Sequence, residues 1–380
     1  MRFPLPARKP DSPPALLIAG VSGRALAAAA RRAGYRPLVA DFFCDTDTVA
    51  LAERTVVLPG DLQHGIDERF LIETLRRLAG SDAPRYVVLG SGFEHQTKLV
   101  DDIARLFPLA GNDAASIRRI KDPQQLAGDC AELGIPHPAF RWDRPPDPAS
   151  WVTKATGGAG GTHVKSAAGE GPAAGRYFQR FVPGASVSAL FIGDGRKARI
   201  IGFSRQWTSP APASPFRYGG AVRMTRFDRG DAAVICTWLS GLTAVAGLLG
   251  LCSADLIRTS TGYQLVEINP RPGATLDIFD SREAPLLEAH LRAARGEPFD
   301  LPRFAGSMAS QVAYAMRPVT PFPAFVWPDW TADRQSPGTS LAAGDPVCTV
   351  FARGPSAAAA RAIVRSRAVE LRRCWDVCAS

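Results

Sequence analysis

Short β-branched runs alternate with amphipathic stretches through the first hundred residues. Residues 15–23, ALLIAGVSG, read as a buried strand entering a glycine turn, Arg24–Ala33 as an Ala-rich helix, and Arg36–Ala40 as a second strand closed by Asp41. Strands near Thr55–Leu58 and Arg85–Leu89, with a helix at Ile66–Leu78 between them, carry the alternation to about residue 110. That order predicts an open, Rossmann-like α/β layer. Its first turn holds only Gly20 and Gly23, short of a full G-x-G-x-x-G, so a dinucleotide fingerprint is weak. The loop Gly90–Glu94 sits at the carboxyl edge, where such sheets bind ligands, and makes Glu94 and His95 candidate substrate contacts.

The pattern then changes. Residues 111–140 read as helix, broken at Asp122-Pro123 and stopped at Gly134-Ile-Pro136, and 143–150 as a turn-rich linker. Strands are expected at Val187–Ile192 and Ala198–Phe203 around Gly193-Asp-Gly195. The Pro/Ser/Gly-rich loop 208–220 could cover a substrate and offers Arg217 and Tyr218 as anion contacts. Ala232–Ala254 carries no charge and is long enough to span a bilayer. Its glycines, and the strand its last residues join, favour a buried helix instead. After residue 290, strands at Gly306–Ala315 and Pro346–Phe351 precede a helix at Ser356–Val369.

Composition narrows the classes. At 46% hydrophobic and 21% charged, 380 residues suit a soluble protein of two to three domains. The net charge of +9 comes from dispersed arginines rather than basic runs, which argues against nucleic-acid binding. Seven scattered cysteines without a C-x-x-C pair, and five histidines without zinc spacing, point to reduced thiols and a cytoplasmic location. The N-terminus is too polar for a signal peptide, and residues 1–14 are expected as a frayed tail.

The candidate chemistry gathers in LGLCSADLIRTSTGYQLVEINPRPGATLD, residues 249–277. Two β-rich runs flank a Thr-Ser-Thr-Gly break, as in a hairpin. A turn near Thr261 sets residue 255 across from 267, and the period of two brings Asp255, Glu267 and Asn269 to one face while Leu256, Val266 and Ile268 turn to the core. Two carboxylates and an amide are hard-oxygen ligands of the kind Mg²⁺ takes together with water and phosphates. Prolines on both sides stiffen the backbone around Arg271. Upstream, Trp151–Val164 passes from a β-rich run through four glycines in five positions, Gly157, Gly158, Gly160 and Gly161, with Lys154 on the incoming run. Such a loop lets backbone N–H groups approach a polyphosphate, although no Walker signature follows.

These segments resemble the ATP-grasp superfamily: the twelve-residue step from Asp255 to Glu267, the order Glu267, Asn269, Arg271, and the mobile glycine-rich flap. The resemblance implies an ATP-grasp fold of α/β and α+β class. It divides the chain into a Rossmann-like domain over 15–112, an ATP-grasp domain over 113–300 with its small lobe to about 180, and a C-terminal module over 301–380 like that of carboxylases. Lys121 and Lys154 stand in the places of the two phosphate lysines. Gln179, Arg180, Phe181 and Val182 form the adenine hinge, and Ser186 stands where the family usually has a ribose-binding Glu. Asp255, Glu267 and Asn269 would hold Mg²⁺, with Mn²⁺ as an alternative ion.

The same resemblance implies an ADP-forming ligase that activates a carboxylate as an acyl phosphate and joins it to an amine, in the setting of cofactor biosynthesis, with Arg271 and Lys154 catalytic. Two other readings stay open: a bicarbonate-using, biotin-carboxylase-like enzyme, and an ATP-binding protein without chemistry. The partners implied are small carboxylates and amines, with a homodimer compatible and neither nucleic acid nor membrane expected.

Overall fold

The computed structural model describes residues 13–61 and 64–378. The tail expected at 1–14 lies outside them up to Ser12. The N-terminal part runs β1 (Ala15–Ala19), α1 (Arg24–Arg32), β2 (Arg36–Asp41), α2 (Thr46–Leu51), β3 (Arg54–Val57), the short pair β4 (Gly60–Asp61) and β5 (Gly65–Ile66), α3 (Glu68–Ala79), β6 (Tyr86–Leu89) and α4 (Thr97–Ala104). β3, β2, β1 and β6 form a parallel sheet in that order. Every residue of β1 is buried, as a parallel strand covered on both faces requires. α3 starts two residues later than the periodicity suggests, because Ile66 pairs in β5 and Asp67 caps the helix, its carboxylate accepting from the Arg69 N–H.

A helical connector follows, α5 (Ala114–Lys121) and α6 (Pro123–Glu132). Asp122 ends the first and caps the second, accepting from the Gln124 and Gln125 N–H groups. Pro123 supplies the preformed first turn. The strands β7 (Phe140–Arg141), β8 (Trp151–Ala155), β9 (Lys165–Ser166) and β10 (Arg176–Arg180) make an antiparallel sheet in the order β7-β10-β8-β9.

The rest of the chain builds an eight-stranded sheet from β11 (Ala185–Asp194), β12 (Ala198–Thr208), β13 (Tyr218–Arg223), β14 (Leu249–Thr259), β15 (Gly262–Asn269), β16 (Ser307–Tyr314), β17 (Thr331–Ala332) and β18 (Pro346–Gly354). Their order is β15-β14-β11-β12-β13-β16-β18-β17, so the strands after residue 301 extend the sheet begun at Ala185. The helices here are α7 (Arg229–Ala246), α8 (Leu276–Phe279), α9 (Leu286–Ala294) and α10 (Ala357–Cys378). α7 buries Ile235, Leu239 and Leu242 and stops at Gly247, whose left-handed φ of 65° favours glycine. The uncharged stretch is thus one packed helix leading into β14, and among the described residues no helix is long and apolar enough to cross a membrane.

Candidate active site

The β14–β15 hairpin sets Ser253 opposite Asn269, Ala254 opposite Ile268 and Asp255 opposite Glu267. Beyond that pair the register slips and Leu256 faces Leu265. Val266 is therefore the extra residue of a bulge. It was expected on the core side with Leu256 and Ile268, but it lines the cleft, and fully buried Leu265 takes the core place. The bulge lies beside Glu267, where such irregularities re-aim a side chain.

Two lysines from different elements converge on that carboxylate. Lys121, the last residue of α5, donates to Glu267 Oε1, to Asn269 Oδ1 at 3.3 Å and to the Ile268 carbonyl at 3.4 Å. Lys154, on β8, stands with Nζ 3.8 Å from Glu267 Oε2 and donates to Gln179 Oε1 at 3.0 Å. Across the ladder, Asp255 Oδ2 accepts from Asn269 Nδ2 at 3.0 Å and Oδ1 from Gln206 Nε2 at 3.4 Å. Burial raises the Glu267 carboxyl, but the charges of Lys121 and Lys154 and the Lys121 hydrogen bond outweigh it and hold it at about 2. Asp255 is pushed up, first by burial and then by Glu267. Burial also lowers the Lys154 ammonium, against the pull of Glu267.

A pH dependence follows. A carboxyl depressed from 4.5 to about 2 contributes stability that is fully present above pH 4.5 and is lost as pH falls through about 2. Denaturant titrations should therefore show the native chain losing stability faster than a Glu267→Gln variant across that window. Parallel curves would contradict the pairing.

Arg271 is held from the opposite sheet. Its Nε donates to Glu94 Oε1 at 2.7 Å, and Glu94 Oε2 accepts from the Gly92 N–H at 2.7 Å. Glu94 is buried, which raises its carboxyl, yet Arg271 and Lys121 pull it below the ordinary range. Asn112 fixes the approach: it donates to the Leu249 and Pro270 carbonyls at 3.1 and 2.9 Å and accepts from the Leu249 N–H at 2.8 Å. From the sequence Glu94 is a candidate substrate contact on the loop after β6. Its function as the partner of Arg271, 177 residues away, has no local signal.

The glycine loop is packed at both ends. A Cβ at Gly157, whose φ is 72°, would stand 2.8 to 2.9 Å from the backbone of Glu94 and His95, and one at Gly161 would meet the Phe216 carbonyl at 2.1 Å. Gly160 accepts from the Tyr218 N–H at 3.0 Å. At Gly158 a Cβ would strike the ring of His163, whose pKa burial lowers to about 4 and which carried no assigned role. In the hinge, the Arg180 and Phe181 N–H groups are taken by the Ala139 and Ser150 carbonyls. The Arg180 side chain pairs with Asp147, and Phe181 lies against Phe216 with ring centroids 6.1 Å apart. Gln179 is buried, and its side chain serves Lys154. Arg217, expected as an anion contact, is instead consumed by structure: it donates to the Ser209 and Gly344 carbonyls and stacks 3.6 Å from the Tyr314 ring centroid.

One cleft of about 1030 Å³ takes in Lys154, Val182, Ser186, Asp255, Glu267, Asn269 and Arg271. That is at the upper limit of a typical ligand pocket, about 300–1,000 Å³, and leaves room for a nucleotide and a second molecule. Asp255, Glu267 and the Asn269 amide all border it, an all-oxygen donor set that suits Mg²⁺. Among the described residues, no group of three or more His, Cys, Asp or Glu is gathered for a metal, so phosphate oxygens would have to complete the shell.

The family model of the ATP-grasp domain matches residues 126–275. Solved structures share the fold at low identity. The biotin carboxylase domain of Hydrogenobacter thermophilus 2-oxoglutarate carboxylase, crystallised with MgADP, ADP and bicarbonate, superimposes with TM-score 0.68 at 12% identity over 89% of this chain and 86% of its own. N5-carboxyaminoimidazole ribonucleotide synthetase in complex with ADP gives 0.68 at 14% over 96% and 98%. An L-amino acid ligase from Bacillus licheniformis gives 0.66 at 13% over 93% and 97%. No curated protein matches the chain in sequence. The fold is the ATP-grasp fold, and Lys154, Asp255 and Glu267 border its cleft, with Lys121 donating to Glu267.

Proposed function

We infer that this chain, which carries an ATP-grasp domain over residues 126–275, is an ATP-dependent enzyme that activates a carboxylate as an acyl phosphate and joins it to an amine, releasing ADP and phosphate. The observation that carries the reading is the convergence of Lys121 and Lys154 on Glu267, with Asp255 and Asn269 alongside. Asp255, Glu267 and Asn269 would hold Mg²⁺, which when bound supplies positive charge to the terminal phosphates. Lys121 and Lys154 neutralise phosphate oxygens, and the glycine loop offers its N–H groups. A substrate carboxylate oxygen attacks the γ-phosphorus as the bond to ADP breaks. The amine then adds to the acyl carbon, phosphate leaves, and the amine gives up a proton. Arg271, oriented by Glu94, faces the acyl group through both steps. Positioning and charge do most of this work, since phosphoryl transfer asks little covalent chemistry of side chains.

Product analysis tests the reading: incubation with ATP, Mg²⁺ and pooled carboxylates and amines should yield ADP and phosphate together with a new amide. AMP as product, or ATP binding without turnover on any amine, would overturn it. Two biotin carboxylase domains that overlie 89% and 91% of the chain favour a second reading, with bicarbonate as the carboxylate. Phosphate release that depends on bicarbonate would select it.

Lys154→Ala removes one charge-assisted phosphate contact worth roughly 1.5–3 kcal/mol, so the apparent KM for ATP should rise about ten- to a hundredfold. Steady-state kinetics against ATP measure this, and an unchanged KM would remove β8 and its glycine loop from the phosphate site.

A further inference from the structure

The last hydrogen-bonded pair of β11 and β12 is Val187 with Arg205. Beyond it the two strands part, and both Ser186 and Gln206 border the cleft at the gap. Gln206 reaches Asp255, whereas Trp207, the next residue, packs against the cluster formed by α10. On that side the cleft is bordered by Arg205 and by Arg361 and Arg365. The last two are four residues apart on α10, hence on one helix face. The Arg361 guanidinium lies 4.8 Å from the Trp207 ring centroid, and its Nε is buried without a hydrogen-bond partner. Among the described residues no carboxylate pairs with any of the three, although most other arginines near the cleft are paired, Arg180 with Asp147 and Arg271 with Glu94. Burial lowers the Arg361 pKa, and the charges of Arg365 and Arg205 lower it further. Arg361 is half-buried and Arg205 and Arg365 are exposed, and three guanidiniums without counter-charges at the border of a cleft larger than a nucleotide needs are the arrangement of an anion receptor.

We propose that Arg205, Arg361 and Arg365 form a subsite for the oxyanion-bearing end of the acceptor substrate, a phosphate or carboxylate remote from its reacting amine. The identity of the bound molecule as acceptor rests on the ligase reading; the anion site does not. Trp207 lies against the Arg361 guanidinium, whose planar fork suits two-donor recognition of an oxyanion better than a lysine would.

The test is calorimetric titration of the full chain, both nucleotide-free and loaded with MgADP, with O-phosphoserine, with citrate and with serinamide, which has no anionic group. At least one anion should bind in both states and serinamide in neither. Arg361→Gln combined with Arg365→Gln should weaken anion binding about tenfold or more while MgADP affinity, which also reports folding, stays within about twofold. Arg361→Lys should fall between. A preference for O-phosphoserine assigns a phosphate tail, and a preference for citrate a carboxylate tail. No anion binding in either state, or affinity unchanged in the double variant, overturns the subsite. Anion binding that disappears with the double variant, in a protein that turns over ATP with no amine, upholds the subsite and removes the ligase reading alone.

Discussion

Glu267→Gln should abolish most ADP formation and also destabilise the fold. On the ligase reading, the catalytic loss comes from removing one of two carboxylates beside Lys121 and Lys154; losing one preorganised charged contact of this kind costs about 10²–10³ in rate. Surface reasoning from the strand pattern alone would leave stability untouched, and the structure changes that expectation. Glu267 is the shared counter-charge of two buried ammoniums, Lys121 and Lys154. Taking one partner from a buried ion pair costs about 3–5 kcal/mol, because the charge left behind stays desolvated. Denaturant midpoints should therefore fall together with turnover. Raising Mg²⁺ should recover only part of the activity, since the two lysines would still repel the ion. An active, equally stable variant would refute both the ion-pair assignment and the catalytic one. Asp255→Asn separates the two effects, because Asp255 hydrogen-bonds with the neutral amides of Gln206 and Asn269 and, among the described residues, forms no ion pair with an ammonium. It should lower turnover with little loss of stability.

Arg271→Lys should leave nucleotide binding close to normal and reduce product formation about a hundredfold, the scale of losing one preorganised donor to a developing oxyanion. An ammonium has the charge but not the planar fork, so it cannot hold Glu94 through one nitrogen while two others present a fixed in-plane pair of donors. Glu94→Gln provides the companion measurement. Among the described residues Glu94 hydrogen-bonds with Arg271 and the Gly92 N–H and with neither Lys121 nor Lys154, so the variant should lower kcat with little change in the KM for ATP, as expected of a positioning residue. Equal losses of ATP affinity in both variants would place Arg271 on the nucleotide rather than at the acyl end.

The legible parts of this chain were those written in local pattern. The parallel strands β1, β2, β3 and β6, the α5–α6 break at Asp122-Pro123 and the hairpin joining Asp255 to Glu267 each follow from periodicity, proline and turn chemistry within a few residues. Four helices, α2, α4, α8 and α9, escaped because each is nine residues or fewer, too short to set up a clear helical period. Val266 was assigned to the wrong face because a bulge shifts the register by one, and no residue type marks it. The tertiary pairings were invisible for a different reason. Glu94 with Arg271, Asn112 with the β14 entry, and Lys121 with Glu267 join residues 137 to 177 positions apart. The family resemblance supplied Lys121 as a phosphate lysine, but only the fold brings it onto the carboxylate. Arg217 shows the converse, a loop arginine with the right chemistry that the fold spends on two carbonyls and a tyrosine ring.

If this cleft makes an acyl phosphate from a carboxylate and ATP, one oxygen of the carboxylate leaves in the released phosphate. The enzyme is given unlabelled ATP and Mg²⁺ in unlabelled water, with a phosphate-depleted metabolite extract whose carboxylates carry ¹⁸O, and the released phosphate is read by ³¹P NMR. Phosphate bearing a single ¹⁸O, formed in step with ADP, is the predicted result. Turnover that yields only unlabelled phosphate, or AMP, would contradict the account.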